Sequence, residues 1–427
     1  MLRLFVPQKR VMSTLAFKSI TSPQLKEWLA QQDQQVHSDL VLVDVRERHE
    51  IEKHGKIKGA INVPFQLDPD MFSAGLSDFN QQHKIVFQCM SGRRSDEAAR
   101  IAISLGFKDV YSLQGGLKEW KGPIQPFMNN HSPWVHTFFE PETETAQYVV
   151  TDLKTREAYI IDPVLNYDPF SSTVSPLTAK HLIEFIEKHE LQVSKIIDTH
   201  VHADHLTAAL YLKDQLPTKP EYWIGQHVTQ VQDVFSQTYN ISHQELNAAE
   251  QFDKLVTELT QWTLGKDIQC SVLATPGHTP ACMSYRIGDA AFVGDSLFMP
   301  DIGTARCDFP GGSAEQMYAS IHKMYQQWPD DTRIYVGHDY PPTDRPYQVM
   351  ASLEKHKKFN KMISQSVSSQ DYVNMRKEKD AKLRPPRFIH PSIQTNLRGG
   401  HLPSPEVSMH DKQKIQQFFK IPVRFKA

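Results

Sequence analysis

Short apolar runs bounded by charge mark the first third of the chain. LVLVDVRE (40–47), HKIVFQC (83–89) and DVYSLQGG (109–116) hold consecutive apolar residues, which predicts strands buried on both faces. DEAARIAISLGF (96–107) repeats its apolar positions at helical spacing and meets a stop signal at Gly106. LKEW (117–120) opens a second, short helix. Strands alternating with helices predict an α/β domain with a parallel sheet. KGPIQPFMNNHSP (121–133) has three prolines and little periodicity, so a linker is expected there.

Beyond it the pattern changes. WVHTFFE (134–140) and AQYVVTD (146–152) read as two strands joined by a turn at PETET, and EAYIIDP (157–163) as another strand. LTAKHLIEFIEKHE (177–190) is an amphipathic helix, with a cap expected near Thr178. KIIDT (195–199) and YWIG (222–225) read as strands, LTAALYLKDQL (206–216) as a helix, and the polar stretch to about residue 260 as mostly helical. Residues 269–298 form strands with turns at PGHT and GDA. SAEQMYASIHKMYQQW (313–328) is a helix starting at a serine cap, and TRIYVGHDY (332–340) is a last strand. This order predicts an αββα sandwich. The expected boundaries are an extension over 1–16, the α/β domain over 17–125, a linker over 126–133, the sandwich over 134–345, and a C-terminal extension over 346–427 packed on the sandwich. Within that extension, residues 374–403 are proline-rich and weakly periodic, and the pattern assigns them no role.

A length of 427 residues exceeds one ordinary core and agrees with more than one domain. A net charge of −2 gives no bulk attraction to nucleic acid or to an anionic membrane. No apolar run reaches the ~18 residues of a membrane span. The four cysteines, Cys89, Cys270, Cys282 and Cys307, form no CxxC pair, which favours free thiols in a reducing compartment. Residues 1–26 lack Asp and Glu but carry Arg3, Lys9, Arg10, Lys18 and Lys26. Cytoplasmic placement is expected, with a mitochondrial one as the alternative if residues 1–26 are a transit peptide.

Two stretches carry the chemistry. THVHADH (199–205) places His200, His202, Asp204 and His205 on a loop after a strand. His200, His202 and Asp204 alternate at i, i+2, i+4, which on an extended segment aims all three the same way. Imidazole and carboxylate at this density are the composition of a transition-metal site. His278 in PGHTP, Asp295 in VGDS and His338 in VGHD each follow an apolar run and adjoin a glycine, completing one constellation. The second stretch is CMSGRRS (89–95), between a strand and a helix. Backbone amides at a helix N-terminus, with Arg93 and Arg94, favour an anion there and are expected to lower the Cys89 thiol pKa.

DVRERHEIEKHGKIKGAINVPF (44–65) resembles the rhodanese family, with Lys56 where that family often has His, and CMSGRRS resembles its six-residue active loop. The resemblance implies that Cys89 takes up a sulfane sulfur as a persulfide, with the loop amides and Arg94 holding the donor or the terminal sulfur. A cysteine phosphatase loop shares the anion cradle but needs five residues between Cys and Arg. Here four separate Cys89 from Arg94, and Ser95 follows. A third option makes this domain only a persulfide sensor or docking module.

T-H-x-H-x-D-H at 199–205, G-H-T at 277–279, G-D at 294–295 and G-H at 337–338 resemble the metallo-β-lactamase superfamily in order and approximate spacing. The superfamily's two-metal arrangement implies one site of His200, His202 and His278 and another of Asp204, His205 and His338, with Asp295 between them. Two chemistries remain open on these ligands. Two Zn(II) ions would serve a glyoxalase II-like hydroxyacylglutathione thioester hydrolase. One Fe(II) per chain on His200, His278 and Asp295 would serve a dioxygenase, leaving His202, Asp204, His205 and His338 as a second site or as orienting partners.

SLFMPDIGTARCDFPGGSAEQMY (296–318) and the tail over 374–403 resemble the persulfide dioxygenase branch fused to rhodanese domains. That branch implies oxidation of glutathione persulfide to sulfite and glutathione, with thiosulfate or sulfite shared with Cys89. It also implies a glutathione carboxylate near Arg306, with Tyr340, Cys307 and Thr279 as weaker candidates. No nucleic acid or membrane partner is expected, and a homodimer is left as an option.

Overall fold

Leu40–Asp44 and Lys84–Gln88 pair in parallel near the middle of a five-stranded sheet. Its order is Lys18–Ile20, Asp109–Leu113, Lys84–Gln88, Leu40–Asp44, Ile61–Asn62, and every pairing is parallel. The period-2 alternation explains the unbroken apolar runs. Ile85 and Phe87 pack with Val43, Ala98 and Ala102 on one face, while Val86 packs with Leu25, Leu42 and Leu113 on the other. Helix Arg93–Ser104 follows the central strand directly. In this computed structural model the described residues are 17–422, less 36–38, 66–68, 78, 126–131, 343–344, 405 and 408–414. They fall into two compact units, Met1–Phe127 and Met128–Ala427.

The second unit has two six-stranded sheets. One runs Lys254–Val256, Glu221–Gly225, Gln192–Ile197, Glu157–Ile161, Thr145–Thr151, Trp134–Glu140. The other runs Gln261–Leu264, Ile268–Ala274, Met283–Ile287, Ala290–Phe292, Arg333–Tyr335, Met350–Ser352. Tyr148, Tyr159, Ile161 and Ile197 of the first sheet share a core with Leu264, Val272, Tyr285 and Phe292 of the second. Each such fully buried apolar side chain contributes about 1.5–3 kcal/mol. The second sheet's outer face puts Ala291, Val293 and Ile334 against Met317, Ile321 and Met324 of helix Ala314–Gln327. Helices Leu177–Lys188 and Ala209–Gln215 bury Leu182, Ile186 and Leu212 on the first sheet's side. The layering is αββα. Strand ends and the loops after them therefore open along one edge of the sandwich, where the His/Asp residues gather.

Several local expectations need correction. Residues 199–205 are a bent loop rather than an extended strand, so alternation is not what brings their side chains together. The helix expected over 206–216 starts later, at Ala209, because Leu206–Thr207 pairs with Val164–Leu165. The stretch before 260 contains strand Lys254–Val256, whose partner is the distant Glu221–Gly225. Thr178 does not cap its helix; its amide is instead capped by Asn166 Oδ1 at 2.8 Å. Ser313 does cap its helix, accepting from the Gln316 amide. The C-terminal extension holds helices Leu353–Phe359, Ser369–Asp380 and Ile389–Asn396, the last two overlapping the weakly periodic residues 374–403. The last of these buries Ser392, Gln394, Thr395 and Asn396, so a hydrophobic pattern does not reveal it. Residues 17–26 lie in strand Lys18–Ile20 and the start of helix Ser22–Gln32, while 1–16 lie outside the described residues. No helix among the described residues is long and apolar enough to cross a membrane.

Candidate metal centre and cysteine loop

In the first unit, Cys89 leaves the end of strand Lys84–Gln88 and is almost fully buried. Its Sγ accepts the Gly92 amide at 3.1 Å and lies 3.6 Å from Ser95 Oγ. Ser95 Oγ in turn donates to the Gly92 carbonyl and accepts from Ser112 Oγ. The loop's carbonyls are drawn away from the sulfur: Cys89 O accepts from the Leu117 amide and Met90 O from the Lys118 amide. Gly116 permits this approach, since a Cβ there would lie 2.4 Å from Cys89 O. Beside the loop, the buried Arg46 guanidinium is forked onto Asp44 and reaches the Gly55 carbonyl. The D-x-R pair at 44–46 thus braces the chain.

In the second unit, His200, His278 and Asp295 offer ligand atoms within 4.8 Å of one another, as do His202, Asp204 and His205. His338 Nε2 joins the two groups, 3.4 Å from Asp204 Oδ2 and 3.5 Å from Asp295 Oδ1. The partners behind each imidazole fix which nitrogen carries the proton. His278 Nδ1 faces the Arg306 carbonyl at 2.8 Å, and His338 Nδ1 the Glu144 carbonyl at 3.0 Å. A carbonyl only accepts, so both rings hold hydrogen on Nδ1 and turn an Nε2 lone pair inward. Thr199 Oγ1 donates to Asp162 and therefore accepts from His200 Nδ1. Asp162 Oδ1 takes His202 Nε2 at 3.0 Å, and Asp204 Oδ2 takes His205 Nδ1 at 2.8 Å. His200 Nε2, His202 Nδ1 and His205 Nε2 are buried without a hydrogen-bond partner among the described residues. Five inward lone pairs beside Asp204 and Asp295 make a donor set that fits a transition metal.

The electrostatics agree. Burial, then the neighbouring imidazoles, holds His200 and His202 well below the usual imidazole range, leaving them neutral as ligands must be. Burial opposes the charged form of His205 and His338 too, yet the adjacent carboxylates raise both. Asp162 has φ +51°, a left-handed conformation costly for a non-glycine residue. The Thr199 amide, the Thr199 hydroxyl and His202 all bond to it. Gly294 matters for the same reason: with φ +48°, its Cβ would lie 2.3 Å from Thr199 Oγ1. Behind Asp162, the Asp198 carboxyl is pushed up to about 7 by burial and the Asp162 charge, and it receives the Tyr222 hydroxyl.

The family match for the metallo-beta-lactamase superfamily covers residues 147–338, the segment from the strand before Asp162 to His338. "Glyoxylase B2" of Dictyostelium discoideum is 42% identical over 273 residues, covering 64% of this chain and 92% of that protein. The chain belongs to the metallo-beta-lactamase superfamily. Residues 21–123 match the rhodanese-like domain, so a rhodanese domain precedes the metallo-beta-lactamase domain. The mitochondrial persulfide dioxygenase of Bos taurus is 28% identical over 267 residues, covering 61% of this chain and 87% of the relative. Among solved structures, ETHE1 from Myxococcus xanthus superposes with a TM-score of 0.50 at 28% identity, covering 62% of this chain and 99% of that one.

Within the metallo-beta-lactamase domain, His200, His202, Asp204, His205, His278, Asp295 and His338 are brought together. Arg306 stands differently from its expected role. Its Nε and Nη2 are forked onto Asp308 at 2.6 and 2.7 Å, and Nη1 donates to the Arg384 carbonyl. The fork that a substrate carboxylate would need is filled by the chain's own carboxylate, while the Arg306 carbonyl orients His278. Tyr340 stacks on the His338 ring. Thr279 and Cys282 bond to each other, and burial pushes the Cys282 and Cys307 thiols up to about 12. In the rhodanese domain, Arg94 is forked onto Glu50, and Arg93 is 89% exposed. Sequence reasoning missed Asp162, Thr199 and Asn396. Asp162 and Thr199 carry a weak signal, each closing an apolar run in EAYIID and KIIDT.

Proposed function

We propose that this chain is an iron-dependent persulfide dioxygenase that converts glutathione persulfide, O₂ and water to glutathione and sulfite. The observation that carries the reading is a two-histidine, one-carboxylate face, His200, His278 and Asp295, in the same chain as a cysteine cradle. Similarity to persulfide dioxygenases supports it. Fe(II) bound on that face supplies open coordination positions and the redox chemistry that lets O₂ react with a terminal sulfur. The chain's own residues do the rest. The Arg306 carbonyl and Thr199 hold His278 and His200 in the ligating tautomer, and the buried surroundings exclude bulk water.

Cys89 acts on the same sulfur pool. Its thiolate takes the terminal sulfur of glutathione persulfide, releasing glutathione and leaving a persulfide on Cys89. Sulfite then removes that sulfur as thiosulfate and restores the thiolate. The Gly92 amide, already on Sγ, stabilises that sulfur as the attacking and leaving thiolate.

A second reading rests on a specific observation. His202 Nδ1 and His205 Nε2 also lack partners among the described residues, and with Asp204 they offer ligand atoms for a second metal. The relative called glyoxylase B2 fits that reading, a dinuclear zinc hydroxyacylglutathione hydrolase. Metal analysis with oxygen-uptake measurements separates the two. One iron per chain and persulfide-dependent O₂ consumption support the dioxygenase; two zinc per chain and hydrolysis of S-lactoylglutathione replace it with the hydrolase.

A further inference from the structure

The metal loop is held from behind as well as in front. Residues 199–205 belong to no strand, so their backbone polar groups need partners from elsewhere. Three groups here find one residue. Asn396 Nδ2 donates to the His202 carbonyl and to the His205 carbonyl, both at 2.8 Å, and Asn396 Oδ1 accepts the Thr207 amide at 2.8 Å. Both amide protons and the oxygen are used, and flipping the group would set NH₂ against the Thr207 N–H. Asparagine is the side chain that satisfies this set: aspartate would turn an oxygen toward two carbonyls, and glutamine is one methylene too long for the same seat. Asn396 is 2% exposed.

The seat is anchored independently of the loop. Helix Ile389–Asn396 is tied down by Gln232 Nε2 on the Leu397 carbonyl and by Arg398 on Gln394 O and Glu245. Gly400, at φ +89°, runs against Leu210. The clamp therefore comes from a fixed frame, and it grips two of the three residues in the loop whose imidazole nitrogen has no partner among the described residues, His202 and His205.

We infer that Asn396 is a positioning residue of the metal centre, and that the C-terminal helix Ile389–Asn396 is energetically part of that centre. The inference rests on the metal-centre reading but not on which metal or reaction is involved. If docking of this helix favours the ligating shape of 200–207, metal binding must favour docking of the helix to the same degree.

Co(II) titration of the full chain, read by its visible bands with a competing chelator, tests this. Asn396→Ala and Asn396→Asp are expected to lose about 10–100-fold in Co(II) affinity, the range seen when a group orienting a ligand is removed. Arg398→Ala, which loosens the same helix end without touching the loop, is expected to retain affinity within a few-fold while losing thermal stability. Hydrogen exchange on the wild type needs no variant: residues 389–400 should gain protection when Co(II) binds, and the Thr207 amide should already be protected without metal. Unchanged Co(II) affinity in the Asn396 variants, or unchanged exchange over 389–400 on Co(II) binding, overturns the clamp alone. Failure of the wild type to bind Co(II) overturns the metal centre and the clamp with it.

Discussion

Arg94 meets Glu50 through two parallel bonds, Nη1 to Oε2 and Nη2 to Oε1, both 2.6 Å. The arginine next to the Cys89 loop is thus matched by a carboxylate, and Glu50 is held below the usual carboxylate range, chiefly by the Arg94 bonds. Releasing that guanidinium should favour anionic sulfur donors. Glu50→Gln keeps an oxygen for the Glu47 amide but removes the charge. We expect KM for thiosulfate in sulfur transfer to fall, by on the order of 1 kcal/mol or fivefold, the scale of one charge-assisted hydrogen bond. An unchanged or higher KM would show that Arg94 does not reach the donor even when free.

Cys89→Ser should abolish thiosulfate–thiol sulfur transfer, since the other three cysteines, Cys270, Cys282 and Cys307, all belong to the second unit. Oxygen uptake with glutathione persulfide should stay largely intact. Equal loss of both activities in paired assays would contradict two separate sites.

Asp162 orients two ligands at once, His202 directly and His200 through Thr199. Asp162→Asn puts an NH₂ where one of three donors now points. Metal content after dialysis against chelator should drop, with affinity lower by about 10–100-fold. A variant that keeps its metal as well as the wild type would remove the tautomer argument.

His356 gives a pH test away from the metal. Burial pushes its imidazole down to about 3, so the folded chain keeps it neutral while an unfolded chain protonates it below its ordinary value of 6.5. The unfolded state then binds the extra proton between those limits. Stability is complete above 6.5 and falls by about 1.4 kcal/mol per pH unit as pH drops toward 3. Urea midpoints measured from pH 7 to 5 should fall less steeply for His356→Gln than for the wild type. Parallel slopes would show that another group governs acid sensitivity.

The ligands themselves were legible because chemistry concentrates them: four sit within 199–205, and the others adjoin glycines after apolar runs. Their orienting partners were not. Asp162 reaches Thr199 because strand Glu157–Ile161 pairs in register with Gln192–Ile197, and periodicity does not encode register between distant strands. Asn396 lies 194 positions from His202 in a helix whose buried face is polar. The partners of the two arginines were not legible for one reason. Charge type is visible in a sequence, but whether a guanidinium is already satisfied depends on a neighbour such as Glu50 or Asp308.

The reach of Asn396 bears on how the protein is made. A ribosome delivers every candidate metal ligand, His200 through His338, before it delivers Asn396, which bonds to the loop from behind. Contacts spanning 189 to 194 positions close only after both ends have been synthesised. A nascent chain that has exposed His200 through His338 therefore still lacks the Asn396 contacts that brace residues 202–207 in the finished fold.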